Sequence, residues 1–383
     1  MRRFASIVIG YRGYVIPLAD PARFFDSKRV EFKSILDRMI DSKHFVLGEM
    51  VSNFESAFSK YVGSKYCIGV ASGTDALEIA LRALDCQGKD VVLVANAGGY
   101  GSIACRAIGA RPLFVDIEPE TLLISVQAII DSISINTAAI VVTHLYGLAA
   151  DVKKIDLAVK EKLGHSVPIV EDCAQAHGAM VENTKVGALG TIGCFSFYPT
   201  KNLGGLGDGG CLTTNDATIN SKVLQLRQYG WVRKYDQETE GGRNSRLDEL
   251  QAGFLALLLC DLDERNAVRR SIVKKYYESG ASLVHGAFTD SEKYVGHLAV
   301  CLVDERPELM RRLAELEVST AVHYPYLDTE FAANRSFGNV ELPNSLAAKN
   351  KVLSLPCFPE LTEREVDQVC RVISKNIQYF RKS

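Results

Sequence analysis

Patterns that mark metal-built and disulfide-built proteins are missing from this chain of 383 residues. None of its ten cysteines forms a C-x-x-C pair, and none of its seven histidines falls in an H-E-x-x-H or H-x-x-x-H spacing. Zinc is therefore not expected, nor any other metal. Several cysteines, among them Cys67, Cys173, Cys194 and Cys301, sit inside apolar runs and read as small buried hydrophobes. A disulfide framework does not suit a chain of this length and spacing, which points to a reducing compartment, the cytoplasm. Long hydrophobic runs are also missing. The longest, Phe254 to Cys260, is far too short to span a bilayer, so no membrane is expected as a partner. An excess of basic charge is absent too. The net charge is -2, which gives no electrostatic footprint for nucleic acid. Pairs such as Lys153-Lys154 and Arg269-Arg270 read as solvated helix faces. At the N-terminus two arginines precede a short apolar stretch, as in a signal peptide. Ser6 and Gly10 break it and no small-residue cleavage site follows, so residues 1 to 14 read as an N-terminal extension.

What is present is an ordinary globular balance, 47 % hydrophobic and 23 % charged, without repeats or a low-complexity linker. From about residue 50 to 215 strand and helix patterns alternate, as in an α/β domain. DVVLVAN, RPLFVDI, AAIVVTHLYG, VPIVEDCAQA, GCFSFYP and GCLTTN read as strands, and Ser102 to Ile108 as a helix. Runs such as AAIVV and VPIV lack polar alternation, which suits parallel strands buried on both faces. Arg246 to about Tyr277 has helical periodicity, as one long helix or two joined ones. HLAVCLV and STAVHYP read as further strands. Thr362, with Glu365 at the capping-box spacing, opens a last helix. The expected division is a large domain over 15–262 and a smaller α+β domain over 263–383.

Three segments could carry chemistry together. Lys201 follows the strand FSFYP and precedes the glycine-rich turn NLGGLGDGG, where backbone can approach a ligand closely. Glu171 and Asp172 end the buried strand VPIVED, and a carboxylate there is costly unless it meets a cation. A pyridinium nitrogen is such a cation, although capping the next turn would also account for Asp172. Ser72-Gly73-Thr74 lies between a strand and the periodic stretch ALEIALRAL, so hydroxyls and helix-terminal N–H groups could hold a phosphate. A simple N-cap explains the same residues. Gly205 to Gly210 matches G-x-G-x-x-G, but it precedes a strand rather than a helix and so lacks the dinucleotide-binding context.

Taken in order, ASGTDALEIAL, RPLFVDIEPETL, VVTHLYGLAADV, EDCAQAHGA, FSFYPTKNLGGLGDGG, RNSRLDELQAGF and VLSLPCFPELTEREV resemble the DegT-type sugar aminotransferases. These are pyridoxal 5'-phosphate (PLP) enzymes of fold type I, and the resemblance runs from about Val15 to the C-terminus. It implies an α/β, aspartate-aminotransferase-like fold with a mainly parallel central sheet. It implies Lys201 as the lysine that binds PLP covalently, Asp172 on the pyridine nitrogen and Gln175 on the ring's phenolic oxygen. Gly73, Thr74 and Ser196 would hold the phosphate, and Asn244 would reach the phosphate of a neighbouring subunit, making a homodimer with composite active sites. One position departs from the family. Its usual P-A-N-T-[FY] motif, whose aromatic covers the cofactor ring, is Val94-Ala95-Asn96-Ala97-Gly98 here, so glycine stands at the aromatic position. Tyr100 is the candidate to stack instead, with packing against the sheet as its plain alternative, and Ala174 would face the other side of the ring.

The resemblance further implies transfer of an amino group, with L-glutamate as donor, to a nucleotide-linked keto-6-deoxy-sugar in amino sugar or polysaccharide biosynthesis. Sugar-dehydrating relatives carry histidine where this chain has Lys201, which favours transamination. The stretch N-L-G-x-L-G-D-G-G resembles members acting at C3 more than those acting at C4. His323, Tyr324 and Arg246 are candidates for substrate contact, each with an ordinary structural role as the alternative. A keto-inositol aminotransferase, a PLP sugar dehydratase and a non-catalytic regulator on the same fold are the competing readings.

Overall fold

The computed structural model describes residues 14–337 and 340–380, so the N-terminal extension up to residue 13 lies outside the described residues. The strands in chain order are β1 (Tyr66–Val70), β2 (Asp90–Val94), β3 (Arg111–Val115), β4 (Thr137–Thr143), β5 (Ile169–Asp172), β6 (Met180–Val181), β7 (Thr184–Lys185), β8 (Ile192–Ser196), β9 (Gly210–Thr214), β10 (Trp231–Arg233), β11 (Asp236–Gln237), β12 (Ala299–Leu302) and β13 (Val352–Leu355). Seven of them form one sheet in the order β1-β9-β8-β5-β4-β2-β3. The pairs β2·β3, β2·β4, β4·β5 and β5·β8 are parallel, whereas β9 runs antiparallel to both β8 and β1. Six strands therefore point their C-terminal ends to the same side.

Side chains alternate across a sheet, so a strand buried on both faces feeds two cores. Val92, Val94, Ile140 and Val142 enter one cluster with Ile155 and Val159 of the helix Val152–Leu163, and with Tyr276, Leu353 and Val369 of the C-terminal third. Their neighbours Val91, Leu93, Ala139 and Val141 enter another with Leu77, Ile79 and Leu81 of the helix Gly73–Ala83. A third cluster joins Phe54 and Phe58 of the helix Glu49–Val62 to Phe195 and Phe197 and to Leu255 and Leu258 of the helix Glu249–Leu259.

The periodic stretch after residue 246 is two joined helices, Glu249–Leu259 and Leu262–Glu278. The Thr362 capping box forms as its spacing predicts: Glu365 N–H donates to Thr362 Oγ1 at 3.3 Å, and Thr362 N–H to Glu365 Oε2 at 2.7 Å. HLAVCLV supplies β12, which pairs antiparallel with β13. STAVHYP differs from expectation. It makes a single bridge, Ala321 to Ser354, and no strand. Pro325 has no N–H to give a ladder, and the preceding His323 and Tyr324 line a cleft instead. Among the described residues no helix is long and apolar enough to cross a membrane.

Candidate active site

Ligand sites in such sheets form beyond the carboxyl ends of the strands, and the register shows what this sheet brings there. Thr143 lies beside Asp172, Asp172 beside Cys194, and Ser196 beside Gly210, which pairs in turn with Val70. The ends of β5, β8 and β1 thus converge on a cleft of about 420 Å³, within the range of about 300–1,000 Å³ usual for small-molecule sites. Gly73, Thr74, Asp172, Gln175, Ser196 and Lys201 all line it.

Lys201 sits in the long connection between β8 and β9, its backbone N–H held by the Tyr198 carbonyl at 2.8 Å. Burial lowers the pKa of its amine, while the negative charge of Asp172 draws it partly back. Among the described residues the amine has no hydrogen-bond or ion-pair partner.

Asp172 ends β5 and is 7 % exposed. It accepts from Ala174 N–H at 3.2 Å and from Thr143 Oγ1 at 3.4 Å. Burial raises its pKa, opposed by the Ala174 N–H and then by the charge of Lys201. Turn-capping thus accounts for part of Asp172 but leaves it short of a strong cationic partner, which a protonated ring nitrogen would supply.

The third component is the N-terminus of the helix Gly73–Ala83. A helix leaves its first N–H groups without intrahelical acceptors. Ser72 Oγ satisfies one of them, Asp75 N–H at 3.1 Å, and the first intrahelical bond runs from Ala76 N–H to the Ser72 carbonyl at 3.0 Å. Those of Gly73 and Thr74 remain for a ligand. A Cβ at position 73 would lie 2.5 Å from that of Ser196, so glycine is what lets the serine hydroxyl stand beside the helix terminus. Two N–H donors, hydroxyls and the positive end of a helix dipole suit a phosphate. An unpaired lysine, a buried carboxylate and this anion cradle on one cleft fit PLP.

The neighbouring Glu171 faces the other way and is fully buried. It accepts N–H groups from Gly187 at 2.9 Å, Leu189 at 2.9 Å and Gly190 at 2.7 Å, and His144 Nε2 lies 3.0 Å away. His144 Nδ1 accepts from Ala150 N–H at 3.0 Å, so the imidazole is the neutral tautomer that donates from Nε2 to the carboxylate. Glu171, His144 and Cys173 are close enough to suggest a metal group, but the polar contacts of Glu171 and His144 are already taken. The cluster fastens β5 to the 187–190 turn. Glu171→Ala would leave three N–H donors unmatched, one buried and two partly buried, and is expected to lower stability by about 3 kcal/mol in denaturant unfolding. A loss below about 1 kcal/mol would contradict this role.

Gln175 is fixed at both ends of its amide. Its Oε1 accepts from Tyr146 N–H at 2.7 Å and its Nε2 donates to Tyr324 Oη at 2.9 Å. Tyr100, Ala174, His323 and Tyr324 line the cleft, with His323 Nδ1 2.8 Å from Ser354 Oγ. Burial brings the His323 pKa down to about 4, so this ring is neutral at physiological pH. Asn244 and Arg246 do not line the cleft of their own chain. Asn244 is exposed, and the Arg246 guanidinium lies 6.0 Å from the Tyr229 ring.

Sequence reasoning missed His297, Arg269 and Asp208, which also line the cleft. His297 is anchored through Nδ1 to Asn202 Oδ1 at 2.7 Å, and burial with the nearby positive charge of Lys201 holds its pKa well below the usual histidine range. Its signal was weak: it lies at the start of the expected strand HLAVCLV, far in sequence from the lysine it faces.

The model of the DegT/DnrJ/EryC1/StrS aminotransferase family matches residues 26–374. A dTDP-3-amino-3,6-dideoxy-alpha-D-galactopyranose transaminase of Aneurinibacillus thermoaerophilus is 38 % identical over 364 residues, 94 % of this chain and 99 % of that protein. A protein of Geobacillus stearothermophilus named pleiotropic regulatory protein is 35 % identical over 376 residues, 95 % of this chain and 99 % of its own length. Among solved structures, S. venezuelae DesV in complex with a ketimine intermediate superposes with a TM-score of 0.90 at 32 % identity, covering 97 % of this chain and all of that one.

Proposed function

The chain belongs to the DegT/DnrJ/EryC1/StrS aminotransferase family, whose members depend on PLP, and from that premise we propose that it moves an amino group from L-glutamate to the C3 ketone of a nucleotide-linked 6-deoxy-sugar. The observation that carries the reading is the grouping of Lys201, Asp172 and the Gly73–Ser196 cradle on one cleft. The C3 preference draws support from the N-L-G-G-L-G-D-G-G stretch after Lys201 and from the 3-amino sugar named for the Aneurinibacillus relative.

When bound, PLP supplies an electron sink that lets a proton leave the amine-bearing carbon of the donor. Gly73, Thr74 and Ser196 would hold its phosphate, and Asn244, exposed and turned from its own cleft, would hold that of a second copy in a homodimer. Asp172 would keep the ring nitrogen protonated. Gln175 would bond the phenolic oxygen, since its Nε2 has a second hydrogen beyond the one given to Tyr324. Lys201 would hold the cofactor at rest and, once displaced by the donor, carry the proton from that carbon. Burial lowers its pKa, so more of the amine is free at a given pH than in an exposed lysine. His323 and Tyr324, which line the cleft, are proposed as substrate contacts, whereas Arg246 does not line the cleft of its own chain and is not proposed to contact a substrate bound there. The ten free cysteines support a cytoplasmic location, and residue 262 is kept as the proposed domain division. A purely regulatory role, as the name of the Geobacillus relative would have it, gives no chemical reason to keep Lys201, Asp172, Gln175 and Ser196 together.

The test is the visible spectrum of the protein with PLP. L-glutamate should bleach the band of the lysine-bound cofactor, and a 3-keto-6-deoxyhexose linked to dTDP or UDP should restore it with release of the amino sugar. Restoration by the 4-keto isomer alone would refute the C3 assignment. Restoration by a keto-inositol would move the enzyme to cyclitols, and a band indifferent to glutamate would refute the donor.

A further inference from the structure

The glycine at position 98 has a structural counterpart. Gly98 adopts φ +80°, a region open to glycine, but the turn is not the only demand on it. A Cβ built there would lie 2.8 Å from Cε1 and Cζ of Tyr324. The tyrosine ring, arriving from the C-terminal third, therefore occupies the space that a side chain at position 98 would enter. Gly99 repeats the pattern, because a Cβ there would lie 2.7 Å from the ring of Phe331. Between these contacts the Asp328 N–H donates to the Ala95 carbonyl at 2.7 Å, and Asn334 Nδ2 donates to Ser102 Oγ at 3.2 Å. The segment 324–334 thus meets both the loop 95–99 and the first turn of the helix Tyr100–Ala107.

The Tyr324 ring is also held on the cleft side. Its hydroxyl accepts from Gln175 Nε2 at 2.9 Å, Gln175 Oε1 accepts from Tyr146 N–H at 2.7 Å, and the Tyr146 hydroxyl donates to the His323 carbonyl. That circuit returns to the residue before Tyr324 and fixes the ring between the Gly98 backbone and Gln175. Burial raises the pKa of this phenol, which stays protonated. Tyr100 lines the same cleft but is 46 % exposed, and no hydrogen bond holds it among the described residues.

We propose that Tyr324 is a cofactor-positioning residue: its ring, seated against Gly98 and pinned by Gln175, provides the aromatic face against the cofactor ring that position 98 no longer provides. Gly98 and Tyr324 then form a matched pair, with the aromatic surface brought by the segment that also bears His323. A flat ring over an electron-poor ring contributes through offset stacking as well as through area removed from water. The inference rests on the PLP reading above.

Its test is PLP binding by the purified full-length protein, read by equilibrium dissociation and by the visible circular dichroism of the bound cofactor. Tyr324→Leu keeps apolar bulk and removes the ring. It is expected to weaken PLP binding about tenfold and to diminish the induced dichroism. Tyr324→Phe keeps the ring and should stay within about threefold of the parent. Should the leucine variant not fold, Tyr324→Met, flexible enough to fill the gap, carries the same comparison. A leucine or methionine variant that binds PLP like the parent with unchanged dichroism overturns the proposal. So does a phenylalanine variant as weak as leucine, which would put the hydroxyl, not the ring, in charge. A parent protein that binds no PLP overturns the cofactor reading and this inference with it, whereas the first two outcomes overturn this inference alone.

Discussion

Lys201→Ala is expected to reduce turnover by about 10,000-fold or more, the upper range for loss of a positioned proton carrier, because the same amine also anchors the cofactor. The structure supplies the reasons. Its amine has no protein partner among the described residues, so its position is explained by what it can react with rather than by what it stabilises. Burial lowers its pKa, so a larger fraction stands as the free amine, the form that attacks and takes up a proton, than in an exposed lysine. The rate limb governed by this amine should rise with pH and level off below the ordinary lysine range. Lys201→Arg should not rescue it, since a guanidinium stays protonated throughout. The variant should fold as the parent does, because no ion pair or hydrogen bond of the amine is lost. The measurement is a single turnover with L-glutamate, followed by absorbance and product analysis. Activity within about tenfold of the parent would remove Lys201 from the reaction.

Asp172→Asn should separate chemistry from folding. The amide has nearly the same shape, and its oxygen can still accept from Ala174 N–H. It cannot hold a pyridinium proton. Turnover is expected to fall about 100- to 1,000-fold, the scale for losing one preorganised electrostatic contact, with PLP still bound. Stability of the cofactor-free protein should move the other way. Burial raises the carboxyl pKa in the folded state, so the folded protein binds a proton more tightly than the unfolded chain does. Above the ordinary carboxyl pKa that ionisation counts against folding, and the asparagine variant escapes it. The variant should therefore be at least as stable as the parent at neutral pH, with the difference vanishing in acid below the ordinary carboxyl range. Thermal unfolding of both apo-proteins across pH reads this directly. A variant less stable at neutral pH, with turnover intact, would make Asp172 a structural residue.

These residues were legible because the apolar runs before them mark where buried strands end, and a parallel sheet gathers strand ends on one side. IVED, FSFYPTK and ASGT each present a polar group just past such a run, so Asp172, Lys201 and Gly73 could be grouped without coordinates. What a strand end cannot reveal is its partner from another layer. Tyr324 meets Gly98 across more than half the chain, and a glycine carries no trace in its own identity of the ring that excludes a Cβ. Glu171 was read with Asp172 as one acidic pair, although pleating sends the two carboxylates to opposite faces, one to the cleft and one to the 187–190 turn. STAVHYP has the composition of a strand, but Pro325 and the demands of the cleft leave it a single bridge. The role expected of Asn244 rests on the family resemblance alone, since its own cleft does not contain it.

The single reversed strand also dictates when this molecule can exist during synthesis. β1 leaves the ribosome early, yet its partner in the sheet is β9, with Tyr66 opposite Thr214. Until Thr214 has emerged, β1 has no neighbour, β8 has a bare edge, and the Ser72 turn cannot be brought up to Ser196. Exposed edges of apolar strands are sticky, and distant pairings form slowly. Nascent chains stalled between residues 115 and 210 should thus be the species most in need of chaperone protection, and fragments ending before Gly210 should aggregate rather than persist as a half-built enzyme.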